Sequence, residues 1–234
     1  MVNKMKNIWF CGIPGSKWSG IDIVMRNVLP CDRTDETPDR TQYHRPVTPD
    51  DKNNGHRGSY WGPGMGCGED WIDFNFFKPN KLIDDINNVF SGEGYRIIKS
   101  HFFARHFNLD YIYNHFPDDY IFLVYREPQK SFAWWSEVMC FDESHYPDYR
   151  PGYKNYDRMY ELLWQESSKI TDFAMRKGMQ WQPYNPLTSF AKIEGFNKQT
   201  AKYVKQHQKD VYTSLIKIGD DNNVLYNFVK NQTV

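Results

Sequence analysis

Nowhere in the chain do about 18 apolar residues follow one another, the length a helix needs to cross a bilayer. The apolar run in MVNKMKNIWFCGIPG is too short for a secretory core, so the reading expects an intracellular, cytoplasmic protein with no membrane partner. Net charge is missing too: 29 Lys plus Arg balance 29 Asp plus Glu. That excludes a general basic field for nucleic acid and means that any anion site is built locally. Cysteine is scarce and scattered. Cys11, Cys31, Cys67 and Cys140 form no CxxC pair and no His/Cys cluster at zinc spacing, which reads as reduced structural thiols. Repeats and low-complexity tracts are absent as well, so residues 1–234 read as a single domain. Aromatics, in contrast, are plentiful: 16 Phe, 16 Tyr and 8 Trp point to a packed core rather than to disorder.

One stretch differs in texture. Residues 31–70, from CDRTDETPDR to GPGMGCGED, are rich in Pro, Gly, Asp and Thr and show neither helical nor strand periodicity. They read as a long excursion, either a lid or binding loop or a disordered insertion. Its His44, His56, Tyr60 and Trp61 are candidates to line an acceptor pocket for a sugar or a phenol.

Around the excursion, strand and helix patterns alternate. NIWFCGI is an apolar run read as a buried strand, and IDIVMRNVL a helix with Ile21, Val24 and Val28 on one face. NKLIDDINNVF reads as a helix capped by Asn80, with Leu82, Ile83, Ile86 and Phe90 aligned. YRIIKSH and YIFLVYRE have the look of parallel strands buried on both faces, and SFAWWSEVM is read as helical. A long helix is expected from about Tyr156 to Lys177, with Gly178 as its C-terminal stop. TAKYVKQHQKDVYTSLIKIG is read as a further helix. The alternation predicts an α/β fold with a mainly parallel sheet flanked by helices and a helix-rich C-terminal part.

In such folds ligands collect at the carboxyl ends of the strands. Here those ends are GIPGSKWS, KSH and YREP. The first is a strand-to-helix turn whose N–H groups and helix dipole favour phosphate or sulfate; the alternative is a tight turn with a solvated lysine. The gap from Gly12 to Lys17 is too short for a Walker A loop, which weakens the reading as a plain ATPase.

Taken in order, IPGSKWSG, IIKSHF and IFLVYREPQKSFAWW resemble three motifs of the sulfotransferases: the 5′-phosphosulfate loop, the Lys-Thr/Ser-His strand end, and the 3′-phosphate-binding strand and helix. The resemblance implies a P-loop-like α/β fold and a sulfuryl donor, 3′-phosphoadenosine 5′-phosphosulfate, with no metal and a small-molecule or glycan acceptor. Donor contacts fall on Gly15, Ser16, Lys17, Trp18 and Ser19 of the loop. Arg126 falls on the 3′-phosphate, whose oxygens its planar fork matches. The family's helical serine corresponds to Trp134, so Ser131, one turn earlier, takes its place. His101 falls on the general base, a task that suits imidazole near neutral pH, and Lys99 on a supporting cation for the sulfuryl group.

The loop departs from the family pattern. Gly15 stands where Lys or Arg is usual, and Lys17 where glycine is usual. Sulfuryl transfer builds charge on the bridging oxygen, so Lys17 has to supply the cation there. Two other readings stand beside this one: a small-molecule or nucleotide kinase of the same fold, and a non-catalytic binder of an anionic nucleotide or glycan, which Gly15 and Trp134 favour.

Overall fold

The structure, a computed structural model, describes residues 6–40, 42–43, 55–139, 156–204 and 210–219. Cys140, His44 and the side chain of His56 lie outside the described residues.

The chain runs β1 (Asn7–Gly12), α1 (Trp18–Val28), β2 (Gln42–Tyr43), β3 (Gly55–His56), β4 (Tyr60–Trp61), β5 (Gly66–Cys67) and α2 (Pro79–Asn87). It continues through β6 (Arg96–Lys99), α3 (Asn108–His115), β7 (Tyr120–Arg126), α4 (Pro128–Met139) and α5 (Tyr156–Arg176). The last elements are β8 (Gln182–Pro183), α6 (Pro186–Ser189), α7 (Lys198–Tyr203) and β9 (Val211–Lys217). Seven strands form one mixed, mostly parallel sheet in the order β5-β4-β6-β1-β7-β9-β8, and β2 pairs with β3 apart from it.

β1 lies in the middle, parallel to β6 on one side and β7 on the other. Every residue of β1 is buried, as expected of a strand covered on both faces. Alternation along β1 sorts the core into two layers. Trp9 packs towards Trp71, Phe74, Phe103 and Phe116. Phe10 stacks between Trp18 of α1 and Phe122 of β7, and Phe122 in turn meets Phe190. Asp119, just before β7, accepts from the backbone N–H and side-chain amide of Asn7 and from the indole of Trp9, which sets β1 and β7 in register. Among the described residues no helix is long and apolar enough to cross a membrane.

Several expectations hold, the α/β class and the mainly parallel sheet among them. The long helix ends at Arg176, with Gly178 left-handed behind it. Others are corrected. Pro79 is the first residue of α2, so Asn80 lies inside the first turn and does not cap it. The segment read as one C-terminal helix splits: α7 ends at Tyr203, and Val211–Lys217 is a strand paired antiparallel with β7 along its whole length. Its Val, Tyr, Thr and Ile suit a half-covered pleat, and that pairing overrides the weak helical pattern. The excursion is not all loop either, since β4 and β5 extend the parallel sheet beyond β6.

The excursion is fastened by buried charge. On α1, Asp22 pairs with Arg26 one turn on, at 2.9 Å, and with Lys99 of β6 at 2.5 Å. Arg26 makes a two-pronged bond to Asp35, at 2.8 and 3.1 Å, and Asp35 also accepts from the N–H and hydroxyl of Ser59. Lys99 donates to the carbonyl of Arg57 as well. Burial works against the charges of Asp22, Arg26 and Lys99, and the cations hold Asp22 below the usual carboxylate range all the same. Removing one member strands the others in the core. Asp22→Asn is therefore expected to lower the unfolding free energy by about 3 kcal/mol or more, measured by urea denaturation.

Candidate functional site

The carboxyl ends of β1 and β7 lie side by side, and the loop between β1 and α1 folds over them. Two of its residues are left-handed, Gly15 with φ 75° and Lys17 with φ 63°. At Gly15 the reason is spatial. A Cβ there would lie 2.0 Å from the backbone carbonyl oxygen of Ser131, so α4 packs directly on the loop. A lysine or arginine does not fit this position without moving α4. Lys17 takes the left-handed conformation that glycine adopts at little cost, and it caps α1 without offering a side-chain acceptor. The first turn of α1 carries no acid, so its positive end is not neutralised locally.

Arg126, the last residue of β7, reaches the loop and donates through Nη1 to the Gly15 carbonyl at 3.1 Å. Its Nε is buried and has no partner among the described residues, and the same holds for the hydroxyl of Ser16. Lys17 is half-buried, with its ammonium 4.4 Å over the ring of Trp134 on α4. Burial first, then the like charge of Arg126, depresses the Lys17 pKa, against a weaker pull from Asp210 and Glu137. Burial likewise lowers that of Arg126, with Asp210 opposing. A half-buried and a buried cation thus lie close together at a helix N-terminus, and among the described residues neither has an ion-pair partner.

His101 follows β6, and its Nδ1–H donates to the carbonyl of Gly12. It is buried between the ring of Trp18, 4.2 Å away, and that of Tyr60, 5.3 Å away and perpendicular. Burial pushes its pKa down to about 3. The Nδ1–H bond leaves Nε2 as the acceptor nitrogen of a neutral ring.

The structure therefore brings together Gly15, Ser16, Lys17 and Arg126, with His101 joined to them through Gly12. Ser131 packs on the loop through its carbonyl, while its hydroxyl is directed at the Arg126 carbonyl, 3.4 Å away. The Trp18 side chain belongs to the core, so this residue can face a ligand only through its backbone; Ser19 is half-buried in the first turn of α1. Lys99, expected beside the transferred group, is placed in the core on Asp22. Sequence reasoning named Tyr60 as a candidate pocket residue but not as the neighbour of His101, and it missed the Asp22–Arg26 pair, although four-residue spacing of opposite charges was a signal for the latter.

Two measurements test this geometry. Gly15→Ala forces a Cβ into the Ser131 carbonyl and is expected to cost about 2 kcal/mol or more in chemical denaturation. For His101, the unfolded chain takes up a proton near the ordinary value of 6.5, whereas the folded one refuses it until about 3. Stability thus falls as pH drops below 6.5. Between pH 7 and 5.5 this one group accounts for a loss of about 1 kcal/mol, which His101→Asn should abolish.

No protein-family description, curated protein or solved structure matches this chain.

Proposed function

We propose that the chain is a sulfotransferase of P-loop-like architecture, moving a sulfuryl group from 3′-phosphoadenosine 5′-phosphosulfate to a hydroxyl or amine of a small-molecule or glycan acceptor. The observation that carries this reading is a pair of cations, the half-buried Lys17 and the buried Arg126, converging without a carboxylate partner among the described residues at the start of α1. Such an arrangement is costly in an empty site and favourable around an anion. The order of the motifs along β1, β6 and β7 supports the particular anion.

In this reading the loop N–H groups, Ser16 and Lys17 meet the 5′-phosphosulfate, and Arg126 the 3′-phosphate. The acceptor oxygen attacks sulfur as its proton passes to Nε2 of His101. The bond from sulfur to the bridging oxygen breaks, and its electron pair stays on the 5′-phosphate, where Lys17 and the helix dipole oppose the charge. In the empty site His101 is a poor base, and a bound anionic donor raises its pKa, so the base strengthens when the donor is in place. Lys99 acts from the core, by fixing α1 to β6.

The test is binding, then turnover. Adenosine 3′,5′-bisphosphate is expected to raise the melting temperature more than ATP with magnesium does; the reverse order favours the kinase reading, and no shift from either removes the proposal. Arg126→Ala should weaken bisphosphate binding by about 2 kcal/mol. His101→Asn should leave that binding nearly unchanged and lower sulfuryl transfer to phenol and sugar acceptors by about a hundredfold.

A further inference from the structure

We propose that Trp134 is a positioning residue for this site: its indole face holds the Lys17 ammonium beside Arg126, where both cations face the bound anion. The inference rests on the anion reading of the loop.

A lysine in a surface loop ordinarily extends into water, and here two forces push it that way. Leaving water costs the ammonium hydration, and the Arg126 guanidinium repels it; both effects show in its lowered pKa. Some attraction must offset them. Among the described residues no carboxylate forms an ion pair with Lys17; Glu137 and Asp210 act on it only from a distance, and Asp210 has Lys130 as a partner at 3.8 Å. The contact that remains is the ring of Trp134, 4.4 Å from the ammonium and within the range at which an aromatic face attracts a cation.

The chemistry of that holder matters. A carboxylate in the same place would hold the ammonium and cancel its charge. An aromatic quadrupole holds it and leaves the full positive charge for a ligand. Trp134 is also well placed to be rigid. It sits on α4 between Ser131, whose carbonyl packs on Gly15, and Trp135, whose Cβ lies 3.0 Å from where a Gly15 Cβ would be. The helix that fixes the loop backbone thus also fixes the loop cation.

The experiment is a double-mutant cycle with Lys17→Met, Trp134→Leu and the combination, with Trp134→Phe as the conservative variant. Affinity for adenosine 3′,5′-bisphosphate is measured by calorimetry, and the Lys17 ε-methylene proton shifts by NMR. Each single variant is expected to lose about threefold to tenfold in affinity, the double variant little more than one single, and Trp134→Phe most of neither. In the free protein the ε-methylene protons should carry a ring-current shift that Trp134→Leu removes and Trp134→Phe retains. Additive losses, or full affinity in Trp134→Leu beside a loss in Lys17→Met, would overturn the proposal. So would ε-methylene shifts that are the same in wild type and Trp134→Leu. If the wild type binds no bisphosphate, the proposed function fails, and the NMR comparison alone decides whether Trp134 holds Lys17.

Discussion

The Asp22 carboxylate, buried on α1, faces Lys99 on β6 and Arg26 on its own helix, and the geometry of the site depends on this contact. An ion pair in the core is held to its geometry, because any departure leaves a charge without water or partner. It therefore fixes where α1 begins relative to the sheet, and with it the loop that bends from β1 into that helix. Through Arg26, Asp35 and Ser59 the same network pins the excursion, which places Tyr60 against His101. Lys99 thus sits in the core on Asp22 and the Arg57 carbonyl, and still the placement of His101 and of the loop between β1 and α1 runs through it.

The loop combines tight sterics with unrelieved electrostatics. Its backbone is pressed against α4 so closely that position 15 admits only glycine, and Lys17 accepts a backbone conformation unusual for a long side chain. Between these constraints lie two cations of depressed pKa, and a buried hydroxyl and a guanidinium N–H that have no partner among the described residues. Features of this kind lower the stability of an empty protein and persist where a ligand relieves them.

Much of this was legible in the residues. The apolar runs of β1, β6 and β7 and the periodicity of α1, α2 and α5 follow from local pattern, and the strand ends pointed to Arg126, Ser16 and Lys17. What stayed hidden depends on partners distant in sequence. β4 and β5 are two residues each; β4 pairs on the edge of β6, and β5 on β4. β9 reads as part of a helix until β7 lies beside it. Asp22 and Arg26 look like the polar face of an amphipathic helix, and nothing local says that Lys99 meets them in the core. The glycine at position 15 looked like a missing cation, whereas the fold shows a position that a side chain cannot occupy.

The pairing of β7 with β9 has a consequence for how the molecule assembles. β7 is a central strand, yet its outer edge is covered by a segment that begins at Val211, opposite Arg126, after α4, α5, β8, α6 and α7 have been made. During synthesis the parallel half of the sheet is complete while the N–H and C=O groups along that edge are still open, a surface that other chains can extend. Closing it brings together residues far apart along the chain, and contacts of that kind slow folding. The interval between the emergence of Arg126 and of Lys217 is therefore a period in which that edge is open to neighbouring chains.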